Sequence, residues 1–131
     1  MNRLLRMQIF YWLPVYLYLI LIFYLSSISY VPSVESEIVK GFFIPNYIKH
    51  VIEYFILGIL LIRASKKSEF KNYFLISIII IGLYGLSDEV HQLFVPGREF
   101  DLVDWFSDII GGVTSGIIFS LNKLKIKQKG I

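Results

Sequence analysis

From Ile9 to Tyr30 the chain carries no charged residue. At about 1.5 Å of rise per residue, a helix over that run crosses a hydrocarbon core of roughly 30 Å. It predicts a membrane-spanning helix. Arg3 and Arg6 precede the run, as basic residues also precede a signal peptide, but the apolar part is too long for one and no A-x-A-like cleavage site follows. Tyr11 and Trp12 fall where an interfacial aromatic belt is expected. Pro14 lies close enough to the start to be tolerated, or it kinks the first turns.

The remaining chain divides in the same way. Residues 31–46 read as a loop, with a short surface helix over 33–40 and Phe42, Phe43 and Ile44 at the interface. Pro45 and Asn46 then signal a helix start, with Asn46 as N-cap. Further helices are predicted over Tyr47–Ile62, Tyr73 to about Phe94, and Leu102–Leu121. At 131 residues and 56% apolar the chain holds one domain, 1–131, and is more apolar than a soluble core requires. Arg3 and Arg6, the loop residues Arg63, Lys66, Lys67 and Lys71, and Lys123, Lys125, Lys127 and Lys129 are ten of its 13 basic residues, and Glu69 is the one acid among them. The positive-inside rule then puts both termini in the cytoplasm. The expected fold is all-α: a polytopic membrane protein with four transmembrane helices, embedded in the lipid bilayer. The net charge of +3 comes from basic groups placed where apolar runs end, which argues for membrane flanks and against nucleic acid. With no cysteine, disulfides, thiolate catalysis and cysteine metal sites are excluded.

Against this apolar background the stretch 87–116 stands out. It sets Asp88, Glu89, His91 and Gln92 inside one apolar run, turns at Pro96 and Gly97, which suit a type II turn, and re-enters a second run carrying Asp104 and Asp108. An ionisable group in a membrane costs about 2.5–3.5 kcal/mol on insertion scales, so it usually faces a protein or water-filled interior and marks function. Counting from the expected helix ends, Glu53, Asp88 and Asp108 lie at one depth. His50 and Glu53 share a helix face, as do Asp88, His91 and Gln92, and as do Asp101, Asp104 and Asp108. Three helices can therefore converge on one polar cavity. Five acids there meet only Lys49 and Arg98 as permanent cations, so protons or a bound cation must offset them.

That pattern nominates Asp88, Glu89, His91 and Asp104 for acid-base chemistry. Lys49, His50, Glu53, Gln92, Arg98 and Asp108 become ligand-binding candidates, with Arg98 offering a planar fork to phosphate or carboxylate. His50, Glu53, Glu89 and His91 are candidate ligands for a divalent metal. The structural alternative is an ion-pair network, Lys49 with Glu53 and Arg98 with Asp104, that holds short helices together. Gly112 and Gly116 form a G-x-x-x-G, expected to serve packing within the chain more than dimerisation.

KHVIEYFILG at 49–58, SDEVHQLFVPGR at 87–98, and the spacing of Asp104, Asp108 and Gly111 resemble the VanZ-like family of small bacterial membrane proteins, over about 45–116. The resemblance implies a multi-pass protein of the bacterial cell membrane, associated with resistance to teicoplanin and related lipoglycopeptides. The family's motif residues carry over to His50, Glu89, Gln92, Phe94, Pro96, Gly97, Arg98 and Asp104. Where this chain has Asp108 the family often has asparagine, so the site here is more acidic. Two classes of function stay open. One is an enzyme acting on a lipid-linked or cell-wall substrate. The other is a non-catalytic binder, or a proton-coupled transporter, of an envelope lipid or antibiotic. Neither G-x-S-x-G nor H-E-x-x-H is present to favour a familiar hydrolase.

Overall fold

A computed structural model describes residues 2–29 and 44–129. These residues form four helices and no strand. Helix α1 comprises Arg3–Met7, a π-helical turn Gln8–Trp12, and Leu13–Ser26. It is followed by α2, Asn46–Lys67, by α3, Tyr73–Gln92, and by α4, Leu102–Lys129. Of the loop expected over 31–46, residues 31–43, with the surface helix expected over 33–40, lie outside the described residues.

Local chemistry explains where the helices begin, widen and stop. Pro14 has no N–H for the carbonyl four residues back, and the wider π turn sits immediately before it. The start of α2 differs from expectation. Pro45, not Asn46, is the cap residue, and its carbonyl accepts the N–H groups of Ile48 and Lys49, with no side-chain cap. At its other end α2 continues past Ile62 to Lys67. Lys66 and Lys67 in the last turn suit the negative end of the helix dipole, and the basic groups rest on aromatic faces. Arg63 and Lys67 lie 5.0 and 5.7 Å from the Tyr11 ring, and Lys66 lies 5.0 Å from that of Phe119.

Helix α3 stops at Gln92, short of Phe94, because the chain tightens there. The N–H groups of Phe94 and Val95 bond the carbonyls of His91 and Gln92. The next turn then closes from the Arg98 N–H to the Val95 carbonyl, with Gly97 at φ 77°, the left-handed position a type II turn requires. Asp101 caps α4 by accepting the Val103 N–H at 2.8 Å. The helix runs beyond the expected Leu121, because an apolar count marks where the membrane ends, not where the helix does.

The helices alternate in direction, so the ends of α1 and α3 meet the beginnings of α2 and α4. Helices α2 and α4 pack most extensively. A Cβ at Gly111 would meet the backbone of α2, at the Val51 carbonyl and 2.9 Å from the Phe55 nitrogen, so no side chain fits between them. Gly112 and Gly116 face Ile81 and Phe74 of α3, which puts the G-x-x-x-G to use inside the chain. Polar tips of aromatic rings tie the helices together. Trp12 Nε1–H donates to Ser68 Oγ at 2.8 Å, Tyr84 O–H to the Leu19 carbonyl at 2.6 Å, and Trp105 Nε1–H to the Gly82 carbonyl at 2.9 Å.

Among the described residues, three stretches are long and apolar enough to cross a membrane: Leu4–Ser26, Tyr73–Gln92 and Leu102–Asn122. Helix α2 is not among them, since Lys49, Glu53 and Arg63 interrupt its apolar run. It is nevertheless the most enclosed helix, burying Tyr54, Leu57, Leu61 and Ile62. The outer faces are apolar over a wide area, with Leu17, Ile20, Leu83, Val103, Ile110 and Ile117 exposed. Water would not tolerate so continuous a surface, whereas lipid tails match it.

Candidate functional site

One turn into α2, His50 sits where α2, α3 and α4 converge. Its Nδ1 lies 2.8 Å from Asp108 Oδ1, and its Nε2 lies 3.7 Å from Asp104 Oδ2. Asp104 and Asp108 are four residues apart on α4, so one helix face presents a carboxylate to each ring nitrogen. All three side chains are buried. With Asp108 as a carboxylate, Nδ1 carries a ring proton, and in the neutral ring Nε2 keeps its lone pair. The 3.7 Å gap to Asp104 is too long for a hydrogen bond, so that lone pair is not consumed there.

Glu89 approaches the same cluster from α3. Its Oε2 accepts the Asp101 N–H at 2.8 Å, a carboxylate placed at the positive end of α4. Its Oε1 is buried and has no hydrogen-bond partner among the described residues. The same is true of Asp108 Oδ2, Asp88 Oδ1 and the Tyr54 hydroxyl. One ligand atom each from His50, Glu89 and Asp104 lies within 4.8 Å of the other two. Among the described residues, these three are placed to hold a metal. The close approach of α3 to α4 depends on Gly85, where a Cβ would meet the Asp108 carboxylate.

On its other side His50 forms part of the wall of a cavity of about 240 Å³. The end of α1 contributes Leu25, Ser26 and Ile28, α2 contributes Asn46, Lys49, His50 and Glu53, α3 contributes Asp88 and Gln92, and Arg98 closes the rim. Gln92 Nε2–H donates to Asp88 Oδ2 at 3.2 Å, as their spacing of four predicts. Arg98 Nε–H reaches the Ile28 carbonyl at 3.4 Å, which ties the turn after α3 to α1.

The structure thus divides the residues nominated from sequence. His50, Glu89, Asp104 and Asp108 form a buried cluster; Lys49, Glu53, Asp88, Gln92 and Arg98 line the cavity with His50. His91 joins neither. Its Nε2 lies 3.0 Å from Ser27 Oγ, and its ring packs 4.4 Å from that of Phe23, against α1. The metal set of His50, Glu53, Glu89 and His91 is accordingly not brought together, and Asp104 stands with His50 and Glu89 in its place. Asp101 shares the helix face of Asp104 and Asp108 by spacing, but its side chain turns back to cap its own helix. Asn46 in the cavity wall and Gly85 behind Asp108 were not nominated. Both were within reach of the helical repeat, since Asn46 lies four residues before His50 and Gly85 three before Asp88.

The VanZ/LLP1 family model matches residues 8–123. No curated protein and no solved structure matches the chain.

Proposed function

The chain belongs to the VanZ/LLP1 family, and from that membership and the geometry around His50 we propose that it is a cell-envelope protein of a bacterial membrane. In this reading it spans the bilayer four times with both termini cytoplasmic. An outward acidic pocket engages a lipid-linked or cell-wall group, and this underlies resistance to teicoplanin-type lipoglycopeptides.

His50 carries the reading. It stands between the cavity and the buried carboxylates, with one ring nitrogen held by Asp108 and the other in no hydrogen bond among the described residues. In that arrangement Asp108 fixes the tautomer, and Nε2 can take a proton from a hydroxyl or a water on the ligand. Arg98 at the rim supplies a bidentate fork for a phosphate or carboxylate, and Asp88 and Glu53 offer acceptors to its polar groups. Ten of the 13 basic residues lie toward the helix ends away from the cavity, which supports this orientation.

A second reading is supported by the cavity lining itself. Two acids, Glu53 and Asp88, and two cations, Lys49 and Arg98, face one space, which suits a zwitterionic headgroup or an antibiotic bound without chemistry.

Growth inhibition by teicoplanin tests the shared claim. Cells producing wild-type protein should tolerate more drug than cells producing matched amounts of His50→Gln or Asp88→Asn. Equal tolerance in all three would remove the pocket from the resistance mechanism.

A further inference from the structure

We propose that His50, Glu89 and Asp104 bind one divalent transition-metal ion, with Asp108 as the outer-shell partner of His50. The three ligands come from three helices and are buried, with their donor atoms within 4.8 Å of one another. Between His50 Nε2 and Asp104 Oδ2 the distance is 3.7 Å. Two ligands at about 2.1 Å on a tetrahedral ion stand roughly 3.4 Å apart, so little movement separates this pair from coordination.

Two further observations point to an ion. Glu89 is anchored through Oε2 by the Asp101 N–H, yet Oε1 of the same fully buried side chain has no partner among the described residues. A buried acceptor without a donor is costly, and a cation satisfies it directly. Asp108 holds the opposite nitrogen of His50 at 2.8 Å, and a carboxylate behind a histidine in this way orients the ring for a metal and raises its basicity. One imidazole with two carboxylates suits Zn²⁺ or Mn²⁺ better than Ca²⁺ or Mg²⁺, which favour shells of oxygen. Zn²⁺ is the best match to three protein ligands with a remaining open position.

The proposal rests on the working site above and changes one role in it: with Nε2 as a ligand, the ion would take over from the free lone pair in activating a hydroxyl or water there. Its test is binding alone. Full-length protein with a tag free of histidine is purified in detergent, stripped with chelator, equilibrated with Zn²⁺ or Mn²⁺, and analysed for bound metal. Wild type should retain about one ion per chain. Binding should weaken at least tenfold in His50→Ala and in Glu89→Gln, and by about 10–100-fold in Asp108→Asn. Glu89→Gln keeps an oxygen for the Asp101 N–H, so it removes the ligand charge while preserving the helix contact. The chain has two histidines, and His91→Ala should bind as wild type does. Wild type that retains neither ion would overturn the proposal, as would undiminished binding in Glu89→Gln or an equal loss in His91→Ala. A bound ion with no effect of the pocket on teicoplanin tolerance would leave the ion standing and remove the functional reading. Tolerance that depends on the pocket in a protein that binds no metal would do the reverse.

Discussion

Asp108 on α4 holds its Oδ1 2.8 Å from Nδ1 of His50 on α2, and both side chains are buried. Truncating either one leaves the other enclosed without its partner. His50→Ala and Asp108→Ala should each destabilise the protein, and the double variant should lose less than the sum, by about 2 kcal/mol. A double-mutant cycle on unfolding in mixed micelles measures this. Additive losses would show that the contact contributes nothing.

Two glycines on α3 give opposite expectations for the same substitution. A Cβ at Gly85 would strike the Asp108 carboxylate, while at Gly82 it would meet nothing within 4 Å. Gly85→Ala should therefore displace Asp108 and reduce teicoplanin tolerance as Asp108→Asn does. Gly82→Ala should keep function and stabilise the helix by about 0.5–1 kcal/mol. Comparing unfolding and drug tolerance of the two variants checks both. Tolerance retained in Gly85→Ala would free Asp108 from any role.

Arg98 separates binding from folding. It lies at the cavity rim, half-buried, and the hydrogen bond of its side chain to the Ile28 carbonyl is long at 3.4 Å. Arg98→Ala should change stability by no more than about 1 kcal/mol yet abolish pocket-dependent tolerance. Arg98→Lys should not restore it, because an ammonium lacks the planar fork. Full rescue by lysine would reduce the role of Arg98 to charge alone.

Orientation can be read with reporters. A reporter that works only outside the cell should be silent when fused after Lys127, and a cytoplasmic reporter there should be active. The same pair fused after Gly97 in the turn following α3 should give the opposite result. Agreement between the two sites would place that turn and the C-terminus on one side of the membrane and overturn the single crossing by α4 between them.

The sequence showed the helices because apolar runs and their basic flanks are local signals. It also showed the turn at Pro96 and Gly97, which two adjacent residues encode. The shared face of Asp104 and Asp108 was legible from their spacing, and both do face His50. The neighbour each face meets was less legible. His91 is three residues from Asp88, a spacing that suggests one face, but α1 packs beside it and offers Ser27 and Phe23. Asp101 belongs to the acidic face by periodicity, yet a short acid at a helix start finds its own backbone first. Helix ends were blurred for a related reason, since α2 runs on to Lys67 and α4 to Lys129 after their apolar runs have ended.

The central claim is that the pocket beside His50 acts on an envelope group, and the most direct measurement is a mass comparison of envelope lipids and cell-wall fragments. Cells producing wild type, His50→Gln or Asp88→Asn at matched levels are compared with cells lacking the protein. A mass change present with wild type and absent with both variants is the predicted result, and its size identifies the group transferred or removed. Identical profiles in all four, with wild type still conferring tolerance, would contradict the claim and leave a protein that binds or transports its ligand without altering it.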